Sequence, residues 1–123
     1  MLVDANAILR YILNDNNEMA VQVDALLKSK TVSVRCEVLA EVVYVLSKVY
    51  SLNRAELVIG IKVFLGNPNV TIESSEAIFL ALETYSETSM DFVDCVLYGM
   101  STSCGYGIFT FDKQLNSMVN NRK

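Results

Sequence analysis

Four short apolar runs, held apart by long helical stretches, constrain this chain more than any other feature. The runs are residues 1–4, Thr31–Val34, Val70–Ile72 and Ile108–Phe111. They carry β-branched and aromatic residues without polar alternation, as strands buried on both faces do. Between them apolar residues recur three and four apart, which is helical spacing. That spacing predicts helices over about 5–13, 18–28, 36–50, 54–65, 75–86 and 91–103, the fifth capped by Ser74 or Ser75. Asn14–Asn17, Ser51–Asn53 and Gly66–Asn69 punctuate the series. A short polar tail follows Asp112. Strands alternating with helices argue for an α/β fold around a mostly parallel sheet.

At 123 residues the chain is long enough for one cored domain, spanning 1–123, and too short for two. More than half the residues, 52%, are hydrophobic. On so small a body that surplus implies a partner or a second copy. The longest apolar stretch, Val38–Val49, is interrupted by Glu41, Ser47 and Lys48, and it is too short to cross a bilayer. No basic leader precedes Leu2. The 3 cysteines show no paired spacing and read as reduced core residues, so a cytoplasmic location is expected. The absence of histidine excludes Ser-His-Asp and Cys-His catalysis and imidazole-bound zinc. A net charge of −4 argues against a broad electrostatic grip on nucleic acid, while leaving room for a small, locally neutralised phosphate site.

The chemistry lies in the acids. Two of the apolar runs end in aspartate, at Asp4 and Asp112. In a parallel sheet those ends share one edge, where open α/β sheets bind ligands. Either acid alone reads as a helix cap or turn residue; together they read as a site. Asp91 and Asp94, three apart, share a face in the first turn of the helix before the last run. Asp91 serves equally well as an N-cap, whereas Asp94 lies one turn too deep for that role. In the stretch Cys36–Tyr50, the residues Glu37, Glu41, Tyr44 and Lys48 form one polar stripe. Glu37 and Glu41 are like charges at i,i+4, mildly unfavourable without a function. Glu41, flanked by Ala40, Val42 and Val43, is the one expected to be partly enclosed, and Glu37 the one expected in solvent.

If Asp4, Glu41, Asp94 and Asp112 converge, they repel: two unit charges about 4 Å apart interact by about 4 kcal/mol at an effective dielectric near 20. Protons or a cation must relieve this. Oxygen donors without imidazole or thiolate select Mg²⁺ or Mn²⁺. Such ions activate water and hold phosphate oxygens, which makes phosphodiester hydrolysis the expected reaction class.

The ordered strings VDANAILRYIL, VLAEVVYVL, DFVDCVLYG and GIFTFDKQL resemble the PIN-domain ribonucleases, and within them the VapC-type toxins of prokaryotic toxin–antitoxin pairs. The resemblance spans nearly the whole chain. It implies a three-layer α/β/α sandwich and a Mg²⁺- or Mn²⁺-dependent endoribonuclease. It also implies an RNA substrate, a homodimer and a cognate antitoxin docking as a helix in an apolar groove. On it the acidic quartet falls on Asp4, Glu41, Asp94 and Asp112, with Asp4, Asp94 and Asp112 as metal ligands. Asn6 would support Asp4 by a hydrogen bond, Asp91 is the second acid of the D-x-x-D stretch, and Thr110 is a supporting hydroxyl beside Asp112. Tyr44 stands where many relatives carry Trp. Arg10, Arg35, Lys48 and Lys113 are the cations to look for nearby.

A reading from another class is a catalytically weak binding module of the same fold, acting through dimer or antitoxin contacts. The intact acids argue against it. A haloacid-dehalogenase-like phosphatase requires a second Asp after the first strand, where this chain has VDAN. A receiver domain requires paired acids there and a strand-end Lys, and neither is clear.

Overall fold

Side-chain caps decide where most of the helices begin. The computed structural model describes residues 1–121; Arg122 and Lys123, the end of the polar tail, lie outside the described residues. Helix α1 (Ala5–Leu13) starts on Asp4, whose side chain accepts the Ala7 amide, and ends on Asn14 in the left-handed region. Asn16 caps α2 (Asn17–Ser29) through the Met19 amide. Asn53 and Glu56 form a reciprocal capping box at the start of α4 (Arg54–Leu65). Helix α3 (Cys36–Lys48) follows Arg35 with no side-chain cap. Strands β1 (Val32–Val34) and β2 (Val70–Ile72) pair in parallel, Val32 opposite Val70 and Val34 opposite Ile72. The remaining helices are α5 (Ser75–Glu87), α6 (Phe92–Cys104) and α7 (Lys113–Asn121). The architecture is α/β, predominantly helical with a parallel two-stranded sheet.

Backbone contacts group the chain into two units, residues 1–73 and residues from Ser74 on. In the first, Ile8, Val32, Leu39, Val42, Leu46, Leu57, Ile61 and Phe64 are wholly buried. Their spacing along α3 and α4 is the periodicity seen in the sequence. In the second, α5 packs on α6. Gly99 permits that approach: a Cβ there would collide with the Ala77 carbonyl. Tyr85 and Phe92 meet edge to face at 6.0 Å, and Leu115 of α7 is fully buried.

Several expectations are corrected. The first apolar run is no strand of its own. Leu2 makes a single parallel bridge to Ser33, because α1 begins at Ala5 and leaves only three residues free to pair. Residues 108–111 form no strand either. The second unit holds no strand among its described residues, so within it the run has nothing to pair with. Its Phe109 and Phe111 are 89% and 90% exposed and stack edge to face on each other at 5.4 Å. The polar tail is helix α7, capped by Asp112 Oδ1 accepting the Leu115 amide at 2.8 Å. Its Leu115, Met118 and Val119 lie on one face, a pattern too short to dominate a polar stretch. Ser74 does not cap α5; it turns the chain at φ 54° with no side-chain cap bond. Of the three free cysteines only Cys95 is buried; Cys36 is half-buried and Cys104 exposed.

Candidate functional site

In the first unit, Asp4 is exposed at the N-cap of α1. Its Oδ1 accepts the Ala7 amide at 2.9 Å, and a carboxylate so bonded keeps lone pairs on both oxygens for a ligand. The hydrogen bond to Asp4 expected from Asn6 comes instead from the Ala7 backbone amide, and Asn6 is exposed two residues on. Asp4, Asn6 and Arg10 line a hollow of about 400 Å³ between α1 and α2. Arg10 donates to Asp15 Oδ1 at 2.6 Å and to the Tyr50 hydroxyl at 3.3 Å. The Tyr50 hydroxyl bond, with the Asp15 charge, raises its pKa further above the ordinary range against the effect of burial, so it stays a cation.

The polar stripe of α3 faces outward. Glu37, Glu41, Tyr44 and Lys48 are all exposed. The partial enclosure expected of Glu41 is absent, because its neighbours Val42 and Val43 rotate inward and are buried. The like-charge pair Glu37–Glu41 is relieved from outside the helix. Arg35 Nε donates to Glu37 at 2.8 Å and holds its carboxyl below the usual range, and Arg35 also lies 3.9 Å from Glu73.

The second unit gathers charge. Asp91 occupies the N-cap position of α6 yet its side chain makes no cap bond, so capping does not account for it. Asp94, one turn in, is partly buried. Burial first, then the Asp112 and Asp91 carboxylates, push its pKa above the ordinary value. Asp112 is anchored twice: its side chain caps α7, and its amide donates to Thr110 Oγ1 at 3.0 Å. Thr110 is held in turn by Asn116, whose Nδ2 donates to the Thr110 carbonyl at 2.8 Å. Asn116 escaped sequence reasoning; an Asn one turn beyond an N-capping Asp was the available signal.

Asp94 therefore feels the charges of both Asp112 and Asp91, whereas Asp4 and Glu41 belong to the first unit. Among the described residues no three Asp, Glu, His or Cys side chains gather closely enough to hold an ion together. The donors are carboxylate oxygens with excess negative charge, which fits a hard cation. Mg²⁺ commonly binds through one or two carboxylates and keeps several waters, so it tolerates such spacing. No helix among the described residues is long and apolar enough to cross a membrane.

The sequence matches the PIN domain over residues 1–120. No curated protein and no solved structure matches it.

Proposed function

The chain belongs to the PIN domain family, and from that premise we propose that it is a Mg²⁺- or Mn²⁺-dependent endoribonuclease. PIN domains are typically metal-dependent nucleases. The observation that carries the reading is Asp94: its carboxyl is partly buried and lies near the Asp112 and Asp91 carboxylates, a setting that a divalent cation would stabilise.

In this proposal Asp4, Asp94 and Asp112 hold the cation directly or through water, and Glu41 ligates it or orients the attacking water. Asp91 adds negative charge beside Asp94. Thr110 fixes Asp112 by accepting a hydrogen bond from its amide, and Asn116 fixes Thr110. Asn6 offers its amide to the RNA strand beside Asp4. The bound cation supplies Lewis acidity and an activated water at neutral pH. The role proposed is that of a VapC-type toxin, a cytoplasmic homodimer restrained by a cognate antitoxin.

The test is cleavage of a short RNA with Mg²⁺ or Mn²⁺ and with chelator. Wild type cuts only with metal, and Asp4→Asn abolishes cutting. Because an Asn side-chain oxygen also accepts the Ala7 amide, circular dichroism of that variant stays native. Full metal-dependent activity in Asp4→Asn defeats the assignment. The binding-module reading draws on the lack of any three gathered acids among the described residues. Persistent inactivity of clean, antitoxin-free protein with either ion selects it.

A further inference from the structure

The segment that leads into Asp112 combines exposed rings with a fixed backbone. Phe109 and Phe111 are almost fully exposed, directly ahead of the Asp112 cap of α7. Two large rings left in water forgo the burial a Phe ordinarily gains, and exposed apolar groups clustered in this way mark a contact surface. The segment is not loose. The Thr110 carbonyl accepts Asn116 Nδ2 at 2.8 Å, and the Asp112 amide donates to Thr110 Oγ1 at 3.0 Å. Both neighbours of Phe111 are therefore held while its ring stands free. The two rings meet edge to face at 5.4 Å with their planes 79° apart. That contact covers one face of one ring and leaves the other faces open.

We propose that Phe109 and Phe111 are stacking platforms for unpaired bases of the RNA strand, beside the cation on Asp112. The proposal rests on the nuclease reading and deepens it by making the substrate single-stranded. Side-chain charge gives the strand little grip here. From Ser74 to Asn121 the acids Glu76, Glu83, Glu87, Asp91, Asp94 and Asp112 stand against Lys113 alone, and holding phosphates takes cations. Stacking of a base on an aromatic ring needs no charge. The same acids disfavour an apolar protein partner. Closing one over Phe111 would desolvate Asp112, the next residue, and bury an unpaired carboxylate at the centre of the contact. A base lies flat on the ring and leaves that carboxylate to water or to the cation. The angle between the rings narrows the class further. Bases of a duplex are stacked in parallel, so they do not fit two nearly perpendicular rings. Unpaired bases that splay apart do. Every base has a π-face, so the platform tolerates any sequence.

The experiment compares the affinity of the full chain for labelled probes of equal length. They are a single RNA strand, the same strand as a duplex, and an abasic strand with the same sugar–phosphate backbone. Fluorescence anisotropy is read with Mg²⁺, strand integrity being checked on a gel, and with chelator at matched ionic strength. The single strand is expected to bind about tenfold more tightly than the abasic strand or the duplex, the effect of one stacked base. Phe111→Leu keeps apolar bulk and loses the ring, so it is expected to lose that preference, whereas Phe111→Tyr keeps it. The ring is exposed, so both variants retain the wild-type circular dichroism. No binding of any probe, equal binding of intact and abasic strands, or a duplex bound as tightly as the single strand overturns the proposal. So does an undiminished preference in Phe111→Leu. If that variant instead breaks up a dimer in light scattering and leaves RNA affinity unchanged, the rings belong to a second copy and the proposal falls. If wild type cuts RNA and Phe111→Leu cuts it with unchanged KM, the platform falls and the nuclease reading stands. If bases are held through Phe111 but RNA is never cut with either ion, the nuclease reading falls and the platform stands.

Discussion

A carboxyl near two others reports on its surroundings through its proton, and Asp94 is that residue. Its folded pKa lies above the ordinary 3.8, because of burial first and the Asp112 and Asp91 charges second. Between 3.8 and that raised value the folded chain keeps a proton the unfolded chain has lost. Stability therefore falls as pH rises through this window, and the deficit persists above it. Asp94→Asn removes the charge and keeps the shape. In the metal-free protein the variant is expected to melt with wild type at the acid end of the window and above it at pH 7. Identical melting curves at pH 7 would mean that the repulsion is negligible. Asp4 and Asp112 behave differently: each already accepts a helix amide, so both remain useful to the fold when no ion is bound. Cap and ligand are compatible roles for a group with two oxygens.

Among the elements, the α5–α6 pair shows how a local rule loses to packing. Helix propensity alone makes Gly99→Ala stabilising by about 1 kcal/mol. At this position the new Cβ would overlap the Ala77 carbonyl oxygen, a backbone atom that cannot swing aside. Overpacking of that kind costs about 1–3 kcal/mol or more, so the clash wins. Gly99→Ala is expected to lower the denaturant midpoint, whereas a rise would show that α5 and α6 separate freely. What could be read beforehand divides along the same line. The boundaries of α4 and β2 are legible because caps and turn residues are adjacent in sequence: Asn53 before α4 with Glu56 in its first turn, Gly66-Asn67-Pro68 before β2. Helix α7 was missed although Asp112 and the Leu115–Met118–Val119 face announce it. Residues 108–111 read as a strand because their composition suits one, yet a strand exists only through a distant partner, which composition does not name. The D-x-x-D spacing puts Asp94 in the first turn of α6, and Asp91 stands at its N-cap position. The hollow beside Asp4, the relief of Glu37 by Arg35 and the Asn116–Thr110 support all depend on contacts that spacing alone does not encode.

For the molecule as a whole, the charge balance and the family membership meet in one measurable quantity. The chain carries −4 overall, and Arg10 pairs with Asp15 and Arg35 with Glu37 and Glu73. Any ligand that binds the folded state and not the unfolded one stabilises it by RT ln(1 + [L]/Kd), about 2.7 kcal/mol at a hundredfold excess over Kd. Mg²⁺ or Mn²⁺ is therefore expected to raise the melting temperature at pH 7. Metal binding must displace protons from its carboxylates, so the increment shrinks as pH falls. Asp94, with its raised pKa, takes up a proton sooner as pH falls than an ordinary aspartate does. A matched ionic strength of NaCl separates this from ordinary screening of a negative chain, which follows the Debye length and not the identity of the ion. The increment from Mn²⁺ over NaCl should be large in wild type and much reduced in Asp94→Asn, where the ligand is weakened. If NaCl reproduces the whole increment, or if Asp94→Asn keeps all of it, the second unit's acids are a surface charge cluster and the cation belongs elsewhere.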